Sequence, residues 1–198
     1  MNDYILKLFG DNGIVGQQYL ITDPHKNQQY RTGFRFGSGN ALAVVLPANV
    51  IEQWEVVKAW LNDKMPADHP TSSIVHNDYR FDNVILDAAN PMQIIGVLDW
   101  ELTTLGDPLM DLGNTLAYWI EAGDPAPVQL MRRQPSHAPG MLSRQAFVAY
   151  YAERSGIKID NVDFYYTYGL FRLAGIVQQI YYRFFHGQTQ DTRFAQFI

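Results

Sequence analysis

The sequence predicts an α+β fold: a β-rich N-terminal segment followed by a mostly helical part that holds one small β-hairpin. Three observations carry this expectation. The first 48 residues alternate strand-type runs with turn clusters. Two short β-type runs flank the turn-like DAANP at residues 87–91. After Asp107, apolar residues recur at helical spacing. The expected boundary lies between a β-rich segment, 1–48, and a helical lobe, 49–198.

Taken in order, QQYLIT, DPHKNQQ and YRTGFRF read as strand, turn and strand, and GSGN as another turn. Asn49 is the expected N-cap of a first helix, with Glu52 three residues on as in a capping box. Val50, Trp54, Val57 and Leu61 follow at helical spacing, and Pro66 closes the segment. Trp54 and Trp60 are both expected in the core. Val84–Leu86 and QIIGVLD are the hairpin strands. Asp107 then caps a helix with Pro108 at its first position, and Leu109, Leu112, Leu116 and Ile120 form its buried stripe. A further helix runs from about Ser143 to Ser155 and stops at Gly156. The last, from about Val162 to Phe185, is expected to bury Leu170, Leu173, Val177 and Ile180.

With 198 residues, 47% hydrophobic and 14% aromatic, the chain has the material for one core. A formal charge of −5 argues against nucleic-acid and anionic-membrane partners. The absence of cysteine excludes disulfides and thiolate-bound zinc. The start shows no basic-then-apolar leader, and no run approaches the roughly 18 apolar residues of a membrane span. A soluble, cytoplasmic protein is the expectation.

The chemistry concentrates in VHNDYRFDNVILD, residues 75–87, where His76, Asp78 and Asn83 stand in the spacing H-x-D-x-x-x-x-N. Asn83 enters the first hairpin strand and Asp99 leaves the second. An antiparallel hairpin returns the chain to its starting end, so these two should flank one open end. Asp78 lies in the loop that feeds it. Two carboxylates and an amide oxygen would then converge. Hard oxygen donors suit Mg²⁺, which fills its shell with water and phosphate oxygens. Beside apolar strands, neighbouring carboxylates resist ionising together, and a divalent cation relieves the conflict. A nucleotide arriving with its own metal is the expected ligand.

His76-Asn77-Asp78, Asn83 and then Leu98-Asp99-Trp100-Glu101 resemble the catalytic core of the protein-kinase-like superfamily. More closely, HNDYRFDNVI…GVLDWELTTLGDPLMDLG resembles the aminoglycoside phosphotransferase family. Within it, the likeness is nearest to the phosphotransferase-like domains related to those fused to some acyl-CoA dehydrogenases. FYYTYGLFRLAGIVQQIYYRF near the C-terminus resembles the same group, and the likeness covers roughly residues 50–198. The resemblance implies a protein-kinase-like fold and ATP-dependent, Mg²⁺-dependent transfer of phosphate to a hydroxyl of a small molecule: a metabolite, a hydroxyacyl compound or an aminoglycoside-like acceptor. It implies that Asp78 accepts or orients the hydroxyl proton. Asn83 and Asp99 would hold Mg²⁺ across the phosphates. Arg80 would neutralise charge on the transferring group, and His76 would brace the loop. Asp107 and Asp111 are expected to serve structure, by capping and by hydrogen bonds to that loop. Asn77 departs from the family's usual Gly and from the protein-kinase Arg, but asparagine tolerates a left-handed backbone.

Such chemistry also needs a lobe with a glycine-rich cover and a paired lysine. Only 75 residues precede His76. GSG at 37–39 fits a hairpin turn better than a phosphate loop, Lys7 precedes the glycines in the wrong order, and Arg31 and Arg35 stand where a lysine is wanted. The expectation is a nucleotide lobe reduced to a remnant, weak or no activity from this chain alone, and an exposed apolar surface that invites self-association. A non-catalytic kinase-like binding module is the alternative reading.

Overall fold

The computed structural model describes residues 20–23, 28–31, 33–36, 40–43, 48–67 and 72–196. Lys7 and the GSG at 37–39 lie outside the described residues. The chain divides into two compact units, Met1–Met65 with Phe171–Ile198, and Pro66–Leu170.

In the first unit, β1 (Leu20–Asp23) pairs antiparallel with β2 (Gln28–Arg31), and β3 (Gly33–Phe36) with β4 (Asn40–Ala43). Arg31 ends β2 and Arg35 lies within β3. Helix α1 spans Ala48–Asp63, so Asn49 sits inside the first turn and not at the cap. Trp54 is buried, its ring centroid 4.1 Å from that of Phe171, and Leu61 is buried two turns further on. Trp60 corrects an expectation: it is 37% exposed. Six residues after Trp54 it lies about 120° round the helix from the buried stripe.

The second unit is built on two short ribbons and several helices. β5 (Ser73–Val75) pairs with β8 (Thr104–Gly106), Ser73 opposite Gly106. β6 (Val84–Leu86) pairs with β7 (Ile94–Val97), Val84 opposite Val97. The β6–β7 turn is closed by Asp87, whose Oδ1 accepts from the amides of Ala89 and Asn90 at 2.7 and 3.1 Å. Helix α2 (Pro108–Tyr118) starts as the sequence predicts: Asp107 accepts from Leu109 N at 2.9 Å, with Pro108 at the first position. Leu109, Leu112, Leu116 and Ile120 are all buried. A short α3 (Ala126–Gln129) follows. Then comes α4 (Arg144–Ser155), capped by Ser143 and ended by left-handed Gly156 at φ 72°.

The final helix, α5 (Val162–Phe185), runs through both units. Its buried face differs from the expected one. Leu170 is 41% exposed, while Phe164, Tyr165 and Tyr168 are buried. The cause is a glycine contact. A Cβ on Gly113 of α2 would fall on the Tyr165 carbonyl, and one on Gly169 would fall on the Gly113 carbonyl. Backbone therefore meets backbone where α2 and α5 pack, and this turns Leu170, about 100° from Gly169, away from the contact. The Tyr165 hydroxyl donates to Asp107 at 2.6 Å, tying α5 to the start of α2.

Arg144 opens α4 and gathers the segment before it. Its Nη1 and Nη2 donate to the two carboxylate oxygens of Asp124 at 2.7 and 2.6 Å, and Nη1 also donates to Trp119 O at 2.8 Å. The Asp124 carboxyl is held below the usual carboxylate range, chiefly by the Arg144 hydrogen bond. Its stabilising effect is therefore present above the unfolded value, about 3.9, and is lost as pH falls through the lower folded one. Asp124→Asn should cost about 2 kcal/mol at neutral pH. The deficit should shrink in urea titrations as pH drops below about 4; a deficit that stays constant into acid would refute the pairing.

Candidate active site

The β6–β7 register sets the site. Leu98 N donates to Asn83 O at 2.8 Å, so residues 83 and 98 pair just beyond the strands, and Asp99 comes next. Both residues therefore stand at the same end of the hairpin. Asn83 is buried and closes the single 3₁₀ turn Phe81–Asn83. Asp99 is exposed, at φ 64°, and makes no capping bond to the turn Trp100–Leu102 that it precedes. Asn77, at φ 68°, is the other described non-glycine residue in the left-handed region. Asp and Asn are the types that visit it at least cost.

Asp78 is nearly enclosed, its side chain 12% exposed. Its Oδ2 accepts from Asn83 Nδ2 at 3.0 Å and from Arg80 Nε at 3.2 Å. Asn83 Nδ2 also donates to Asp78 O at 2.8 Å. With its nitrogen so committed, Asn83 keeps its Oδ1, a hard oxygen donor, for a ligand. Arg80 reaches Asp82 at 3.4 Å and lies over the Tyr118 ring, 5.1 Å from the centroid. Its guanidinium is thus held beside Asp78 from two sides.

His76 is a brace. Its Nε2 pairs with Leu98 O at 2.7 Å, and its Nδ1 accepts from Asp78 N at 3.2 Å. These partners assign the tautomer with the proton on Nε2. The ring packs on Trp100 at 4.7 Å and is 3% exposed. One imidazole therefore links the loop of Asp78 to the strand end of Asp99.

Helix α2 grips the same loop. The Asp111 carboxylate accepts from His76 N and Asn77 N, each at 2.6 Å. Thr115 Oγ1 donates to Tyr79 O at 2.9 Å, and Asn114 Nδ2 to Asn77 Oδ1 at 3.2 Å. Asn77 in turn donates to Leu102 O at 2.9 Å. Burial, and then the Asp111 charge, push the Tyr79 hydroxyl pKa up, which keeps it neutral. Asp107 and Asp111 are both consumed by structure. Sequence reasoning missed Gln134, which accepts from Phe81 N at 3.2 Å; nothing in its irregular surroundings marks it.

Among the described residues no group of three or more His, Cys, Asp or Glu is placed to hold a metal. The Asn83 amide oxygen and the Asp99 carboxylate, at one end of the hairpin, are hard oxygen donors of the type Mg²⁺ takes. Along the hairpin Ile85, Leu86, Ile94 and Ile95 are exposed, and at the site end so are Leu98 and Trp100.

The model of the phosphotransferase enzyme family matches residues 34–147. Acyl-CoA dehydrogenase family member 10 of Mus musculus is 34% identical over 139 residues, covering 69% of this chain and 13% of that protein. A quinone-dependent D-lactate dehydrogenase of Haemophilus influenzae is 41% identical over 113 residues, covering 52% of this chain and 20% of that protein. The chain thus spans about an eighth to a fifth of the curated relatives it matches. The crystal structure of a Ralstonia eutropha protein assigned to the aminoglycoside phosphotransferases aligns with a TM-score of 0.59 at 23% identity, over 92% of this chain and 73% of that one. The shared fold is the kinase-like α+β fold.

Proposed function

Because this chain belongs to the phosphotransferase enzyme family, we propose that it transfers the terminal phosphoryl group of Mg²⁺–ATP to a hydroxyl of a small molecule. Asp78 takes or orients the hydroxyl proton. Asn83 Oδ1 and the Asp99 carboxylate hold the cation. Arg80 lies close enough to Asp78 to neutralise charge on the phosphoryl group in flight. Bound there, Mg²⁺ would supply positive charge against that of the nucleotide phosphates. The protein's own contribution is positioning: His76 and Asp111 fix the loop so that Asp78 and Asn83 need not reorganise during transfer.

The observation that supports this best is the split use of Asn83. Its nitrogen is spent on Asp78 while its oxygen stays open, one residue pair away from an exposed carboxylate. A hairpin with merely polar ends has no need of that division. The acceptor is proposed as a hydroxylated acyl compound, on the likeness to acyl-CoA dehydrogenase family proteins.

Mg²⁺–ATP should raise the unfolding free energy by about 2.7 kcal/mol at a hundred times its dissociation constant. In thermal-shift titrations Asp99→Ala should abolish that gain, whereas Glu101→Gln, an exposed carboxylate two residues on, should keep it. No shift with the unmodified chain would sink the nucleotide site. A shift without turnover would favour a binding module.

A further inference from the structure

We propose that Gln134 is a positioning residue for the loop of Asp78 and Asn83, locking the turn that carries Asn83 onto the end of α2. Gln134 belongs to no helix or strand; it lies between α3 and α4. Even so it is only 6% exposed. Its Oε1 accepts from Phe81 N at 3.2 Å and its Nε2 donates to Tyr118 O at 3.0 Å.

Both partners are backbone groups at helix ends: Phe81 N opens a 3₁₀ turn, and Tyr118 O belongs to the last residue of α2. A carboxamide carries one acceptor and one donor group on the same carbon, so a single glutamine satisfies both and joins the two elements. The backbone that presents it is itself anchored. Two residues on, buried Ser136 accepts from Ile120 N at 3.0 Å and donates to Ile120 O at 2.9 Å. Residues 134–136 thus form a strap along the segment that follows α2.

The consequence lies in where the grip falls. Asp111 and Thr115 hold the start of the loop, at residues 76, 77 and 79. Gln134 holds its end, at residue 81, two positions before Asn83. Without it, the Asn83 amide is tethered only through Asp78 and the strand. Gln134 therefore fixes where the open oxygen of Asn83 sits relative to the Asp78 carboxylate. The effect on nucleotide binding rests on the Mg²⁺–ATP reading above; the effect on the loop does not.

The test is amide hydrogen exchange on the full chain without ligand, followed by Mg²⁺–ATP thermal shift. Gln134→Leu removes both bonds at similar volume. Gln134→Glu keeps the acceptor for Phe81 N. Ser143→Ala, which deletes the α4 cap, controls for a stability loss elsewhere in the same unit. In Gln134→Leu, exchange across residues 81–86 should rise about tenfold, with α4 unchanged. Gln134→Glu, which keeps the acceptor but loses the donor for Tyr118 O, should recover at most part of that protection, and Ser143→Ala should leave this segment alone. The Mg²⁺–ATP shift should shrink in Gln134→Leu more than in Gln134→Glu. Unchanged exchange at 81–86, or acceleration spread evenly over the chain, overturns the proposal. If the exchange pattern holds but the unmodified chain shows no Mg²⁺–ATP shift, the positioning role stands and the nucleotide reading falls.

Discussion

Gly113→Ala is expected to lower the unfolding free energy by about 3 kcal/mol or more. Local propensity points the other way. In an isolated helix alanine is better than glycine by about 1 kcal/mol, so α2 alone would gain. The sign is decided by what the new Cβ meets. It would fall on the carbonyl of Tyr165, which is backbone within α5, and not on the movable tip of a side chain. Neither helix can yield locally, so the two must separate. Separation thins the contacts of Leu112, Leu116, Tyr165 and Tyr168, all buried nearby on these helices, and a gap of even ~1 Å forfeits a sizeable fraction of dispersion energy. Gly169→Ala should behave alike, because its Cβ would fall on the Gly113 carbonyl. The double variant should cost less than the sum, since a pair of helices already pushed apart admits the second methyl more cheaply. Gly123→Ala is the control: nothing lies within 4 Å of its Cβ, and its effect should stay within about 0.5 kcal/mol. Urea midpoints at constant slope read all four. A Gly113→Ala loss below about 1 kcal/mol would show that the close approach of α2 and α5 is not a packing constraint.

The same contact explains where the sequence could be read and where it could not. The start of α2 and both ends of α4 were legible because caps are local: Asp107 with Pro108, Ser143, and Gly156 each act within a few residues. The buried face of α5 was not. A run such as YYTYGLFRLAGIVQQIYYRF is apolar nearly all round, so periodicity alone gives no unique face, and the choice was made by Gly169 against Gly113, more than fifty positions away. The β5–β8 ribbon escaped notice for a related reason. Its strands have three residues each and pair across some thirty positions, Ser73 with Gly106, which leaves no hairpin signature.

In the candidate site, the hairpin geometry of Asn83 and Asp99 followed from antiparallel pairing alone. The Asp111 clamp on the loop matches the expectation that this acid serves structure by hydrogen bonds to the loop. The left-handed backbone at Asp99 and the bridge from Gln134 did not follow. A backbone conformation at a strand exit and a side chain from an irregular segment depend on tertiary placement, which residue spacing does not encode.

Asp78→Asn is expected to cut phosphoryl-transfer turnover by about a thousandfold, within the range of lost general-base catalysis, while leaving the fold intact. The substitution is clean for a structural reason. Only Oδ2 of Asp78 is engaged by Asn83 and Arg80, and it only accepts. An asparagine oxygen in that place accepts from the same two donors, so the amide nitrogen falls where Oδ1 stood. Asp78→Ala would be a poorer probe, because it strips Asn83 Nδ2 of one of its two partners and frees the Asn83 amide to rotate. What Asp78→Asn removes is the charge and the proton acceptor. Arg80 is then drawn toward Asp82, already 3.4 Å away, but the clamps from Asp111 and His76 stay in place. The Mg²⁺–ATP thermal shift should therefore survive within a few-fold in affinity even as turnover against a panel of hydroxylated compounds, hydroxyacyl thioesters included, collapses. That division between retained binding and lost chemistry is what a base at position 78 requires. If turnover stayed within about tenfold of the unmodified chain, the proton would have another destination. If binding and turnover fell together, Asp78 would be acting through Asn83 and the metal, and not on the acceptor hydroxyl.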